Sequence, residues 1–145
     1  MREARFADLP ARVLYDILRL RIDVFVVEQA CVFGDLDGRD LEATARHLWL
    51  EDPATPDRPI AGYVRLLQNP DGSTEIGRVV TPLAHRGTGT GHRLMAEAIA
   101  RIDGPMYLKA QSRKASFYAS FGFAVCGEEF LEDDIPHVPM RHPGN

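Results

Sequence analysis

Hydrophobic and polar positions along the chain follow two different periods, which predicts a mixture of helices and strands. Leu14, Ile17, Leu18, Arg21, Val24 and Phe25 recur at helical spacing. Asp8, followed two residues later by Pro10, marks the start of that helix, because proline is tolerated in a first turn. Arg21 is the one charged member of the stripe. A short strand is expected before it, at Ala4 to Phe6, and an acidic loop after it, over residues 31–43. Strand patterns run through Arg46 to Glu51, Ile60 to Leu67 and Thr74 to Thr81. The turn-rich residues 52–57 and Asn69-Pro70-Asp71-Gly72 separate them. Helical periodicity returns from Gly91 to Ile102 through Leu94, Met95, Ala98 and Ile99. A strand at Met106 to Ala110, a helix at Arg113 to Ser120, and strands near Phe123 to Cys126 and Val138 to Met140 follow. The pattern predicts an α/β chain with an antiparallel start and a strand–helix–strand–helix second half.

No repeat or low-complexity tract interrupts this order, so residues 1–145 are read as a single domain. Hydrophobic residues make up 45 % and charged residues 26 %, which suits a packed core rather than a disordered chain. The 17 Lys and Arg against 21 Asp and Glu leave a net charge of −4, which argues against nucleic acid as the partner. Cys31 and Cys126 have no metal-ligand or disulfide-framework spacing and read as reduced thiols. The first residues lack an apolar signal core, and runs such as Val24-Phe25-Val26-Val27 are far too short to cross a bilayer. A soluble, cytoplasmic protein with no membrane partner is expected.

The most informative stretch runs from Val79 through Thr81 and His85-Arg86-Gly87-Thr88-Gly89-Thr90-Gly91, a strand passing through a glycine-spaced turn into a helix. Glycines at alternate positions let the backbone approach a ligand and turn its N–H groups inward. The helix start adds its positive end to the same place. No acidic residue lies between Ile76 and Ala96, whereas Arg78, Arg86 and Arg93 do. The combination suits a pyrophosphate, although a turn of this kind also occurs with no ligand. It is neither a Walker loop nor G-x-G-x-x-G, since His92 stands where the third glycine would fall.

Arg86-Gly87-Thr88-Gly89-Thr90-Gly91 resembles the R/Q-x-x-G-x-G/A signature of the Gcn5-related N-acetyltransferases. Phe117-Tyr118-Ala119-Ser120-Phe121-Gly122-Phe123 is similar to that family's second motif, (F/L)-Y-x-x-x-G-F. A resemblance to the ElaA-like branch covers nearly the whole chain, through residues 20–29, 34–40, Arg46-His47, residues 76–79 and residues 135–140. The resemblance implies an α/β (α+β) fold with a central mixed twisted sheet of about six to seven strands flanked by about four helices. It also implies acetyl coenzyme A as cosubstrate and an N-acetyltransferase acting on a primary amine of a small-molecule or peptide acceptor by direct attack.

Attack of an amine on a thioester needs an oxyanion donor, an acid for the departing sulfur and a neutral amine. By resemblance, the backbone N–H near Val80 would meet the thioester oxygen, and Val79 and Thr81 would line the pantetheine arm. Arg86, Gly87, Thr88, Gly89, Thr90 and Gly91 would hold the pyrophosphate, with Phe117 nearby. Tyr118 would be the acid, since a phenol is protonated at neutral pH; it also reads as one more core aromatic beside Phe117 and Phe121. Gln111 stands where many relatives carry an Asn on the pantetheine arm, and Arg113 and Lys114 could reach the 3′-phosphate. Glu28 and His137 are both candidate bases, with a water relay as the third option.

Asp35, Asp37 and Asp40, and the acids from Glu128 to Asp134, suggest an acid-lined entrance for a cationic acceptor or simply a solvated face. The Asp-x-Asp-Gly at residues 35–38 lacks the glycine position and closing Glu of a calcium loop, so no metal is expected. Arg21, Asp37 and Arg78 are candidates for the acceptor site or for a charged network beside it. Arg21-x-x-Val24-Phe25 also resembles acyl-homoserine-lactone synthases. A non-catalytic module that binds acyl coenzyme A is the alternative from another class, and a monomer or homodimer is expected.

Overall fold

The computed structural model describes all 145 residues. One sheet of eight strands runs through it: β1 (Arg2–Ala4), β2 (Arg46–Glu51), β3 (Ile60–Gln68), β4 (Thr74–Val80), β5 (Met106–Gln111), β6 (Ala124–Val125), β7 (Phe130–Glu132) and β8 (Ile135–His142). The order is β1-β2-β3-β4-β5-β8-β6, with β7 also on β8. Three α-helices, α1 (Ala11–Arg21), α2 (Thr90–Ile99) and α3 (Ala115–Ala119), complete it. The mixed sheet agrees with the sequence reading, with one strand more and one helix fewer. β1 lies earlier than expected because Phe6–Asp8 turns as a 3-10 helix. The acidic run around residue 132, read as a face or entrance with no strand assigned to it, forms β7 and a two-residue hairpin turn at Asp133 and Asp134, whose φ values are 51° and 61°. A primed turn needs positive φ at both central positions, and Asp tolerates it better than most residues.

The two sheet faces carry two cores. Leu48, Val64, Leu66 and Ile76 pack with Leu94, Met95 and Ala98 of α2 on one. Trp49, Tyr63 and Val80 pack with Ile17 and Leu20 of α1 and with Val24 on the other. Period-2 alternation along β2 and β3 deals side chains to the two faces. α1 does not stop at Arg21 but continues as a π-helical segment, Ile22–Glu28. Its wider turn carries the Val24-Phe25 end of the stripe to the sheet, and such segments occur often at functional sites.

Two irregularities open the sheet at its centre. β4 and β5 pair in parallel only at Thr74 with Met106 and Glu75 with Tyr107, then diverge. The β3–β4 register slips by one residue between Tyr63 and Arg65, and Arg78 at the slip has φ 53°. This is a bulge, which leaves one residue unpaired and bends the strand. Its effect is visible in the packing. Ile76 and Val80 would share a face in a regular strand, yet they lie in opposite cores.

Candidate active site

Between the diverging ends of β4 and β5 lies a cavity of about 510 Å³. Asp37, Arg78, Val79, Gln111, Tyr118 and His137, six of the residues singled out from the sequence, line it together. The strand register explains the meeting on one side, since Gln111 at the end of β5 faces His137 of β8. A 3-10 turn, Ser112–Lys114, leads from β5 into α3, and Tyr118 on that helix reaches back over the same opening.

Tyr118 is 9 % exposed, and its hydroxyl makes no hydrogen bond within the chain. Burial pushes its pKa up to about 12, so the phenol stays protonated at any ordinary pH. The ring itself belongs to the core, stacked edge-on against Phe117 with centroids 5.2 Å apart. Both sequence readings of this residue, core aromatic and site hydroxyl, are therefore compatible with its position.

His137 is oriented by the backbone. Its Nδ1 lies 2.7 Å from the Ile135 carbonyl, and a carbonyl only accepts, so Nδ1 carries the proton of the neutral ring. Nε2 is left with a lone pair on the cavity side, 3.8 Å from a Glu132 carboxylate oxygen. The ring also stacks on Phe130 at 5.9 Å. Glu28, the other candidate base, does not line the cavity. It grips Arg86 with both carboxylate oxygens, at 2.5 and 2.7 Å, and that ion pair holds its carboxyl below the usual range. A carboxylate so stabilised is a poor base, and the sequence reading of Glu28 is corrected to an anchor for the turn.

Arg86 thereby pins the glycine turn to the π-helical segment, and its Nε also donates to the Thr81 carbonyl at 3.2 Å. Gly87 and Gly89 have φ values of 71° and 85°, which only glycine adopts without strain. No backbone N–H from Gly87 to Gly89 has a backbone acceptor in the chain, and those of Thr90, Gly91 and His92 have none within α2. These N–H groups, with no acid in the first turn of α2, are donors that could hold an anion at the end of β4. Val80 directs its side chain into the second core and Thr81 turns its methyl toward Gly62 and Gly91, so neither side chain faces the cavity. Gln111 donates to Gln29 at 3.1 Å and accepts from Arg113, linking β5 to the end of the π-helical segment. Lys114 lines the cavity mouth; the atoms crowding its ammonium and the nearby Arg113 and Arg86 lower its pKa, although the side chain as a whole is exposed.

Behind the cavity lies a network of three arginines and three aspartates. Arg21 is 1 % exposed and bonds Asp35 (2.9 Å) and Asp40 (2.7 Å). Arg65 forks onto Asp37 with both bonds at 2.8 Å and also reaches Asp40 at 3.1 Å. Arg78 Nε is 2.8 Å from Asp35 Oδ1, but its N–H is not aimed at that oxygen, so the contact is an ion pair without a hydrogen bond. Burial alone would raise Asp37 and Asp40; Arg65 on the first and Arg21 on the second outweigh it and hold both carboxyls low. His47 closes the far side, donating Nε2–H to the Asp40 carbonyl and accepting from Tyr63. Two sequence expectations are corrected here. Arg21 is too deeply buried to touch an acceptor, and Asp35, Asp37 and Asp40 are neutralised by arginine rather than offered to a cation. Arg65, which the sequence pattern does not mark as a site residue, joins this network; a lone charge inside the apolar run Ile60 to Leu67 is the signal for such a buried partner.

A family model described as an acetyltransferase (GNAT) domain matches residues 39–142. A UPF0039 protein of Mycobacterium tuberculosis is 47 % identical over 142 residues, covering 95 % of this chain and 89 % of the relative. ElaA of Escherichia coli is 38 % identical over 143 residues, covering 92 % of this chain and 90 % of the relative. Its crystal structure superposes with a TM-score of 0.86, covering 97 % and 96 % of the two chains. An acyl-CoA N-acyltransferase from Pseudomonas aeruginosa is 40 % identical, with a TM-score of 0.85 and 97 % of each chain covered.

Proposed function

The chain belongs to the GNAT acetyltransferase family, in its ElaA-like branch, and on that footing we propose that it transfers the acetyl group of acetyl-CoA to a primary amine of a small-molecule or peptide acceptor. The observation that carries the reading is the pairing of Tyr118 and His137 on one cavity: a phenol that keeps its proton at ordinary pH and so has one to give, and a ring nitrogen with a lone pair. Those are the two proton roles that aminolysis of a thioester requires.

The turn from Gly87 to Gly91 holds the pyrophosphate with its unpaired N–H groups, and the diverging strands receive the pantetheine arm between Val79 and Gln111. The β4 bulge releases backbone N–H groups near Val80 toward the thioester oxygen, where they stabilise developing negative charge. His137 Nε2 accepts a proton from the acceptor nitrogen, directly or through a water. A C–N bond forms, the C–S bond breaks, and Tyr118 donates a proton to the leaving sulfur. The products are an acetamide and free coenzyme A; the proton on His137 returns to the phenolate through solvent, which balances the step. Thr81 and Phe117 support the turn by packing rather than by touching the reacting atoms. A cytoplasmic setting, with acetyl-CoA at hand, fits this role.

Thiol release from acetyl-CoA by the purified protein, measured across a panel of amines, tests the proposal. Amine-dependent release supports it. Tight binding of coenzyme A with no release for any amine would instead mark a non-catalytic acyl-CoA-binding module.

A further inference from the structure

The cavity is not the acidic funnel that the net charge suggests. Five Lys and Arg and four Asp and Glu line it, and most of the acids are already matched. Asp37 is held by Arg65 at 2.8 Å, Glu75 by Arg39 at 3.4 Å, and Glu132 by Lys109 at 3.2 Å. Arg78 is different. Its Nε pairs with Asp35 Oδ1 at 2.8 Å and its Nη2 is spent on the Asp35 carbonyl at 3.1 Å and on Asp37 Oδ2 at 3.4 Å, whereas its Nη1 bonds nothing in the chain and its side chain is 22 % exposed within the cavity. Phe33 lies beneath the guanidinium at 5.7 Å and steadies its plane. The left-handed backbone at Arg78 is unfavourable for any residue with a Cβ, and such strain persists where the surrounding structure enforces it, often at binding sites. Asp133, without an ion-pair partner, and Glu132 stand on the opposite hairpin beside His137.

We propose that the acceptor is an amino-acid-type molecule whose own carboxylate docks on Arg78 Nη1 while its amine faces His137 Nε2. A guanidinium edge is matched to a carboxylate in geometry and charge. Asp133 attracts the ammonium form, which gives one proton to solvent to become the neutral amine; His137 takes the second as the amine attacks, and Phe25, Phe33 and Ile135 supply an apolar wall for a side chain. The reaction stays as written above, with the amino group as the nitrogen that loses a proton and gains the acetyl group. This inference rests on the transferase reading.

The test compares glycine, leucine and phenylalanine with their amides and with the corresponding decarboxylated amines, by thiol release and by calorimetric titration into the protein saturated with coenzyme A. Peptides carrying the same residue at the carboxyl end, with the amine distant, separate a free amino acid from a peptide terminus. The expected result is a KM at least tenfold lower for the free amino acid than for its amide, with calorimetric binding that follows the same order. Arg78→Gln shrinks that preference toward one, and Arg78→Lys keeps part of it through charge alone; melting curves confirm that both are folded. The wild-type comparison stands even if a variant fails to fold. Amides or decarboxylated amines that equal or beat the amino acids, or a preference that survives in Arg78→Gln, would overturn the proposal. Carboxylate binding with no thiol release from any amine would sink the transferase reading while leaving the Arg78 site standing.

Discussion

Replacing Arg21 with Met removes the guanidinium at the centre of the buried network while keeping an unbranched side chain of similar reach. Four bonds disappear: Nε to Asp35 at 2.9 Å, Nη1 and Nη2 to the Asp40 carboxylate at 2.7 and 3.2 Å, and Nη2 to the Asp35 carbonyl at 3.0 Å. Three positive and three negative charges become two and three, in a place that is 1 % exposed at Arg21 and 4 % at the Asp35 residue. Breaking a buried pair by removing one partner costs about 3–5 kcal/mol. The lower end applies because Asp35 keeps Arg78 and Asp40 keeps Arg65. A loss of about 3 kcal/mol lowers the melting temperature by roughly 6–12 °C in a chain of this size. Urea denaturation and thermal melting measure it. The sign with pH is set by the low carboxyl of Asp40: a group whose pKa falls on folding stabilises above its unfolded value, about 3.9, and loses that contribution as pH drops through the folded value. The deficit of Arg21→Met is therefore largest near neutrality and narrows below about pH 4. Adding Asp40→Asn to the variant recovers part of the loss. A deficit under about 1 kcal/mol at pH 7, or one that does not change toward acid, would refute the view of this network as a charge-balanced unit.

Tyr118→Phe lowers kcat by about 100-fold or more while coenzyme A binding, followed by calorimetry, stays within about twofold; with the phenol at about 12, no alkaline loss of activity traceable to Tyr118 occurs below about pH 10. His137→Gln lowers kcat for every amine, whereas Glu28→Gln, by freeing Arg86 from its carboxylate, chiefly shifts the KM for acetyl-CoA; steady-state kinetics on both variants separate a base from an anchor. Gly89→Ala forces a Cβ into φ 85°, costing about 1–2 kcal/mol in a melting experiment and raising the KM for acetyl-CoA several-fold as the turn shifts.

Much of the architecture was legible in the chain because it depends on local periodicity. The stripe at Leu14 to Phe25, the strands at Arg46 and Ile60, and the glycine turn into α2 each follow from spacing that acts within a few residues. The glycine turn was legible as well, since alternate glycines are written in one dimension, whereas the fold alone placed Tyr118 both in the core and on the cavity wall. β7 was missed because its acids resemble a solvated face until β8 pairs with it. Which candidate base faces the cavity, and which charges are spent, depended on contacts between residues far apart: Glu28 with Arg86, Arg21 with Asp40, Arg65 with Asp37. Residue types alone set the supply of charge; only the folded arrangement, in which buried charges must find partners, decided that Arg21 is structural and that Arg78 keeps a free edge in the cleft.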